Sequence, residues 1–247
     1  NVSARVHANT PERFLMECAR TIRLGFGMPA IKNDEIIVPA LLEKGVSPAD
    51  AYNYAIVGCI EASVPGKWGY RVTGMSFLNV LKILELALND GRDPRTGLQL
   101  CPGRGDLTAF NSFEALYQAF FEQYVYYTRT SFHLDAVADV CLEEMVPDAF
   151  CSALVDDCLQ RGLTVKEGGA VYDIVSGLQS GVTNTANALM ALKKLVFEDK
   201  VLTAAQVQAA LAANFENEGG EVVRQRMLRA PKYGNDLDEV DELAVRV

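Results

Sequence analysis

Between Ser112 and Met145 the chain carries an unusually long helical pattern, with Phe113, Tyr117, Phe120, Phe121, Tyr124, Tyr126 and Tyr127 as its aromatic residues. That segment commits a large share of the chain to helix, and its aromatics read as core and not as a cofactor box. Other stretches show the same bias. Pro11 to Leu24 has helical spacing at Phe14, Leu15, Cys18 and Ile22, with Thr10 as the expected N-cap and Pro11 at the first helical position. Ser47-Pro48 opens a further helix, and Ser76 is placed to cap one whose residues from Phe77 to Leu88 are apolar almost all round, the mark of a buried helix. Pro147 to about Gln160, Thr183 to Phe197 and Glu218 to Leu228 complete the main helical stretches, with an acidic helix after Asp236. Thr203 with Gln206 three residues on forms a capping box.

Strand signals are short. Ile36-Ile37-Val38 is either a strand or the opening of a helix ending at Gly45, and residues 168–177 surround a small β-prone core with glycine. Alternation of short strands with long helices implies a helix-rich α/β fold with parallel strands, and too few strands are visible to close a barrel from this chain alone. No inter-domain linker, repeat or low-complexity tract interrupts residues 1–247, so a single region is expected.

With 247 residues and 49% hydrophobic content, a sizeable core is available. The formal net charge of −9 argues against nucleic acid or an anionic membrane surface as the main partner. No apolar run reaches the length of a spanning helix and the N-terminus lacks signal-peptide order, so a cytoplasmic location is expected. Six cysteines without paired spacings suit reduced thiols, and the two histidines, His7 and His133, lie far apart, so no metal site is expected.

The chemistry is expected in the loop Gly58-Cys59-Ile60-Glu61, which runs into Val64-Pro65-Gly66-Lys67-Trp68-Gly69-Tyr70. A sulfur and a carboxylate stand two positions apart there, among glycines that free the backbone. Three readings of Cys59 compete. As a thiolate nucleophile it would need a cation to lower its pKa, and Glu61 works against that. It could equally be a structural cysteine in a tight turn. As a thiyl radical it needs no depressed pKa but does need a closed, dry pocket, which the apolar segments 49–57 and 77–88 on either side could supply. Spacing alone does not choose among them.

The same residues resemble the glycyl radical enzymes of the pyruvate formate-lyase and glycerol dehydratase type. Gly58-Cys59-Ile60-Glu61 resembles their G-C-x-E loop, and Val64 to Lys67 and Thr73 to Asn79 resemble the segments immediately downstream of that loop. Gly27-Met28-Pro29-Ala30 with Asn33-Asp34 resembles the segment before it. Gly168 to Tyr172, Lys193 to Phe197 and Ala230-Pro231-Lys232-Tyr233-Gly234-Asn235-Asp236 resemble later blocks, so the likeness runs in order along essentially the whole chain. It implies half of a ten-stranded barrel wrapped in helices, with the cysteine loop inside. It also implies that Cys59 is the thiyl that takes hydrogen from substrate and that Glu61 is the general base.

Formate-lyase members carry two consecutive cysteines; Ile60 stands in the second position here, which disfavours formate C-acetyltransferase-like activity. Cys59-x-Glu61 instead resembles the dehydratase, C–N lyase and decarboxylase branches, with Tyr172 to Gln179 nearest the hydroxyproline dehydratase type. The expected activity is that of a radical lyase dehydrating a small hydroxylated substrate such as a diol or hydroxyproline. The family keeps its radical on a glycine in an R-V-x-G-[Y/F] motif, installed by an S-adenosylmethionine and iron–sulfur activating enzyme. No such motif comes after Asp236, and Arg71-Val72-Thr73-Gly74-Met75 imitates it only by coincidence. The expectation is therefore a portion of a longer enzyme without its glycyl radical domain, with no bound cofactor. Its partners would be the rest of its polypeptide, the activating enzyme and further copies of itself. The alternative is a catalytically silent helical body that works only when assembled. Asn187 stands where the resemblance implies an aspartate, which leaves an acidic role there unsupported.

Overall fold

The computed structural model describes residues 2–58, 60–70, 76–175 and 177–247. Strands β1 (Ser3–Val6), β2 (Ala30–Asn33), β3 (Ala55–Val57), β4 (Glu61–Ser63), β5 (Phe77–Asn79) and β6 (Leu178–Ser180) are all short. The α-helices are α1 (Glu12–Thr21), α2 (Asp34–Glu43), α3 (Pro48–Tyr52), α4 (Val80–Leu88), α5 (Phe113–Met145) and α6 (Ala149–Ala153). They continue with α7 (Cys158–Arg161), α8 (Val182–Leu192), α9 (Ala204–Ala212), α10 (Gly220–Arg229) and α11 (Asp238–Arg246). The fold is thus helix-rich α/β. Among the described residues the strands pair two by two: β1 with β2 and β5 with β6 in parallel, β3 with β4 antiparallel. The antiparallel pair corrects the expectation of parallel strands throughout, because positions 58 to 60 are too few for a crossover connection.

Two units divide the chain: Asn1–Met75 with Asp135–Gly177, and Ser76–Leu134 with Leu178–Val247. In the first, Val38, Leu41, Val46, Ala51, Tyr54 and Val64 form the core. Helix α2 starts where the Asn33 side chain accepts from the Glu35 N–H, and Asp34 and Glu35 place negative charge in its first turn. Its end is a Schellman turn: Gly45 at φ +85° donates to Leu42 O and Val46 to Leu41 O. The β-branched run 36–38 is therefore helical. Ser47 caps α3 with Pro48 behind it, as the sequence implies.

The second unit is built around α4, whose Val80, Ile83, Leu84, Leu86, Ala87 and Leu88 are all buried. The first part of α5 contributes Phe113, Leu116 and Phe120, and α8 contributes Leu189, Met190 and Leu192. Each such side chain contributes about 1.5–3 kcal/mol on burial. Residues 113–145 contain neither glycine nor proline, so nothing interrupts α5 over its length of about 50 Å. Helix α11 docks on α5 through Arg246, whose guanidinium lies 4.1 Å over the Tyr117 ring and forks onto Glu114. The capping box at Thr203 and Gln206 is formed.

Three local expectations differ. Thr10 does not cap α1; its hydroxyl accepts from His7 N–H instead, and Pro11 holds the N-cap position. Phe77 and Leu78 are strand, and the α4 cap is Asn79, accepting from Lys82 N–H, because the pairing with β6 holds residues 77–79 extended. The helix expected from Pro147 to Gln160 breaks into α6 and α7, with Asp157 at φ +77° between them. The Arg71 to Met75 run and Ser176 lie outside the described residues. No helix among the described residues is long and apolar enough to cross a membrane.

Candidate functional site

The hairpin β3–β4 carries the predicted chemistry. Its register pairs Val57 with Glu61 and Ala55 with Ser63, so positions 58 to 60 join the strands. Cys59 itself lies outside the described residues. Glu61 opens β4 and is only 7% exposed. Its Oε2 accepts the Ile60 N–H at 2.9 Å. Gly58 sits at φ +62°, and a Cβ added there would lie 2.9 Å from Glu61 Oε2. Glycine is thus required twice over in this motif, by backbone conformation and by the space the carboxylate occupies.

A clamp holds the root of the hairpin. Tyr54, buried just before β3, donates its hydroxyl to Asp34 Oδ1 at 2.7 Å, and Arg5 on β1 grips Asp34 with Nε at 2.9 Å and a terminal nitrogen at 2.7 Å. Arg5 also lies 4.0 Å over the Tyr54 ring and donates to the Tyr54 carbonyl at 3.2 Å. The Arg5 guanidinium holds the Asp34 carboxyl below its ordinary range, while burial and then Asp34 push the Tyr54 hydroxyl up to about 12.

Downstream, the Pro65 to Tyr70 loop meets the second glycine-rich stretch. Trp68 and Tyr172 form a parallel bridge, fixed by Gly69 N–H to Tyr172 O at 2.9 Å and Tyr172 N–H to Lys67 O at 2.8 Å. Lys67 donates to Asp50 at 2.8 Å, and the Tyr172 hydroxyl donates to the other Asp50 oxygen at 2.7 Å. Lys67 first and Tyr172 second draw the Asp50 carboxyl down to about 2. Gly69 leaves room for Asp173, whose Oδ1 would lie 2.9 Å from a Cβ at that position. These glycines let two remote segments approach closely. Beside them a cavity of about 300 Å³ is lined by Val57, Ser63, Val64, Trp68, Tyr70 and Cys151, among others; Glu61 is not part of its wall.

Among the described residues the hairpin is buried on the Glu61 and Ser63 side and open at its tip. Ile60 is 55% exposed and Val57 is exposed too, in contrast to the dry pocket expected around the loop. The sequence reading missed Lys32, a buried lysine on β2 whose Nζ donates to the Ile60 carbonyl at 3.0 Å. The sequence carries no signal for it: that β2 exposes Ile31 and Asn33 and buries the charged residue between them, the inverse of an amphipathic strand, is visible only in the structure. In the second unit, Asn187 accepts the Tyr233 N–H at 2.8 Å, and Lys232 donates to the carbonyls of Met227 and Ala230 at the end of α10. Burial pushes the Lys232 ammonium down. The five described cysteines are free thiols, and no group of three or more His, Cys, Asp or Glu converges among the described residues.

The family model for pyruvate formate lyase-like proteins matches residues 1–247. The chain belongs to that family. Its similarity to a probable dehydratase, YbiW of Escherichia coli K12, is 49% identity over the whole chain and 31% of the relative. The structure of hydroxyproline dehydratase from Clostridioides difficile with trans-4-hydroxy-L-proline bound superposes with a TM-score of 0.84 at 34% identity, over 97% of this chain and 30% of that one. The glycerol-bound B12-independent glycerol dehydratase of Clostridium butyricum gives 0.82 at 35% identity, over 98% and 30%. The resemblance read from the Gly58 to Glu61 motif and the blocks around it is borne out; the relatives include isethionate sulfite-lyases and an indoleacetate decarboxylase beside the dehydratases. The chain spans about 30% of the length of these relatives.

Proposed function

We propose that this chain is the cysteine-loop portion of a radical dehydratase acting on a small hydroxylated substrate, a diol or hydroxyproline, within the half-barrel that the family likeness implies. In that reading the Cys59 thiyl takes a hydrogen atom from the substrate carbon adjacent to the one that loses its hydroxyl, leaving a thiol and a carbon radical. Glu61 takes a proton from the heteroatom on the radical carbon, a hydroxyl in a diol or the ring nitrogen in hydroxyproline, and that proton passes to the hydroxyl on the neighbouring carbon, which leaves as water. The thiol then returns its hydrogen atom to the product radical, so atoms and electrons balance. A glycyl radical, installed by a separate activating enzyme, would supply the unpaired electron.

One observation carries the reading: the motif's glycine makes room for a buried carboxylate anchored two residues from the sulfur position. A carboxylate held off from water by burial, and oriented by a backbone N–H, is placed to move a proton. The relatives, all about three times longer than the matched part, include dehydratases and sulfite-lyases by their names, which supports elimination over acetyl transfer. In the full-length, activated enzyme, Cys59→Ala is expected to lower turnover by roughly 10³-fold or more. Glu61→Gln is expected to lower it roughly 10²–10⁴-fold with the glycyl radical signal intact in electron paramagnetic resonance. Retained turnover in Cys59→Ala would refute the reading.

A second reading, an assembly-dependent body silent by itself, is favoured by the exposure of Phe26, Phe77, Met145 and Phe150, the last at 81%. Size measurement of the isolated chain tests it. A stable monomer with no affinity for the rest of the enzyme would count against it.

A further inference from the structure

We propose that Lys32 is a positioning residue for the reacting loop, an inference that rests on the functional reading of Cys59 and Glu61. Lys32 is only 8% exposed, and its ammonium donates to the carbonyl of Ile60, the residue between the two proposed reacting positions. Among the described residues no carboxylate lies within 4.0 Å of it. Removing an ammonium from water without an opposing charge is unfavourable, and an apolar side chain of similar length would fill the space without that cost. The charge serves the loop.

The lysine also stands on a stiff base. It pairs in register with Arg5 of β1, and Arg5 in turn grips Asp34 and stacks on Tyr54 at the root of the hairpin. The hairpin is therefore held at two points from one strand pair: at its root through Arg5, Asp34 and Tyr54, and at its tip through Lys32 and the Ile60 carbonyl. From the other side the Ile60 N–H is taken by Glu61. Both polar groups of Ile60 are thus engaged, one by the lysine and one by the base. That fixes the main-chain N–H and carbonyl of Ile60, the residue between the two proposed reacting positions.

Loss of such an anchor moves reacting groups by fractions of an ångström, and a misplacement near 1 Å costs on the order of 10²-fold in rate. In the full-length activated enzyme, Lys32→Met is expected to lower kcat by roughly 10–100-fold with KM changed by less than about threefold. Glycyl radical content should be unchanged, because radical storage does not pass through Ile60. Lys32→Arg, which retains a charged donor, should recover part of the loss. Lys32→Gln, uncharged but still a donor, should fall between and serves as the readable variant if methionine prevents folding. Wild-type kcat in both the methionine and glutamine variants would overturn the proposal. So would a raised KM with kcat preserved, since the ammonium would then be contacting substrate and not the loop. Cys59→Ala runs in parallel: turnover there would refute the functional reading itself, whereas an inactive Cys59→Ala beside fully active Lys32 variants would refute the Lys32 inference alone.

Discussion

Gly58→Ala should destabilise the first unit through two separable effects. Alanine at φ +62° costs about 1–2 kcal/mol from the left-handed backbone alone. Its Cβ would also lie 2.9 Å from Glu61 Oε2, so the carboxylate has to leave its place and give up the Ile60 N–H. A hydrogen bond to a charged group contributes about 1.5–3 kcal/mol, which brings the total to roughly 2.5–5 kcal/mol. The assay is urea unfolding monitored by tryptophan fluorescence, because Trp68 is the chain's sole tryptophan and packs on Tyr172 in the same unit. Gly45→Ala supplies the strain-only control, at φ +85° with nothing within 4 Å of the added carbon. In a Glu61→Ala background the Gly58→Ala cost should fall to the strain value, giving a coupling of about 1.5–3 kcal/mol. Additivity of the two substitutions within about 0.5 kcal/mol would show that glycine is not making room for the carboxylate.

Asp34→Asn should cost roughly 1–3 kcal/mol at neutral pH by breaking the bidentate contact with Arg5. Arg5 holds the Asp34 carboxyl below its ordinary 3.8, so its contribution is complete above that value and is lost as pH falls through the lower folded value. The gap between wild type and Asp34→Asn unfolding midpoints should accordingly narrow below about pH 4, and a gap independent of pH would contradict the assignment. Lys67→Met should raise the Asp50 titration further than Tyr172→Phe does, since the lysine is the larger influence on that carboxyl; carboxyl-carbon NMR reads the order directly. Asn187→Asp should leave stability within about 0.5 kcal/mol, because a carboxylate also accepts the Tyr233 N–H, while Asn187→Leu should cost about 1 kcal/mol.

Where local chemistry determines the element, the sequence is a sufficient guide. Ser47-Pro48, the Thr203 and Gln206 box and the unbroken run of α5 all form as their residues imply, because caps and uninterrupted helical spacing act within a few residues. Errors arise where a distant partner decides. Ser76 is a sound cap in isolation, yet Phe77–Asn79 pairs with Leu178–Ser180 and the helix starts at Asn79 instead. The two units leave no mark in the composition because each combines two separated chain segments, with no linker between them. At the site, the Cys59 and Glu61 motif is visible from spacing, and Gly58 acquires its reason only once the Glu61 carboxylate is placed beside it. Lys32 carries no motif, and its partner is a main-chain carbonyl that no side-chain pattern records.

The bridge between Trp68 and Tyr172 constrains the order in which the molecule can be made. The hairpin emerges from the ribosome before its brace: the strand-like segment that holds its downstream loop arrives about a hundred residues later, a delay of roughly 5–20 s at ordinary elongation rates. During that interval the nascent chain presents the Gly58 to Tyr70 region without its brace.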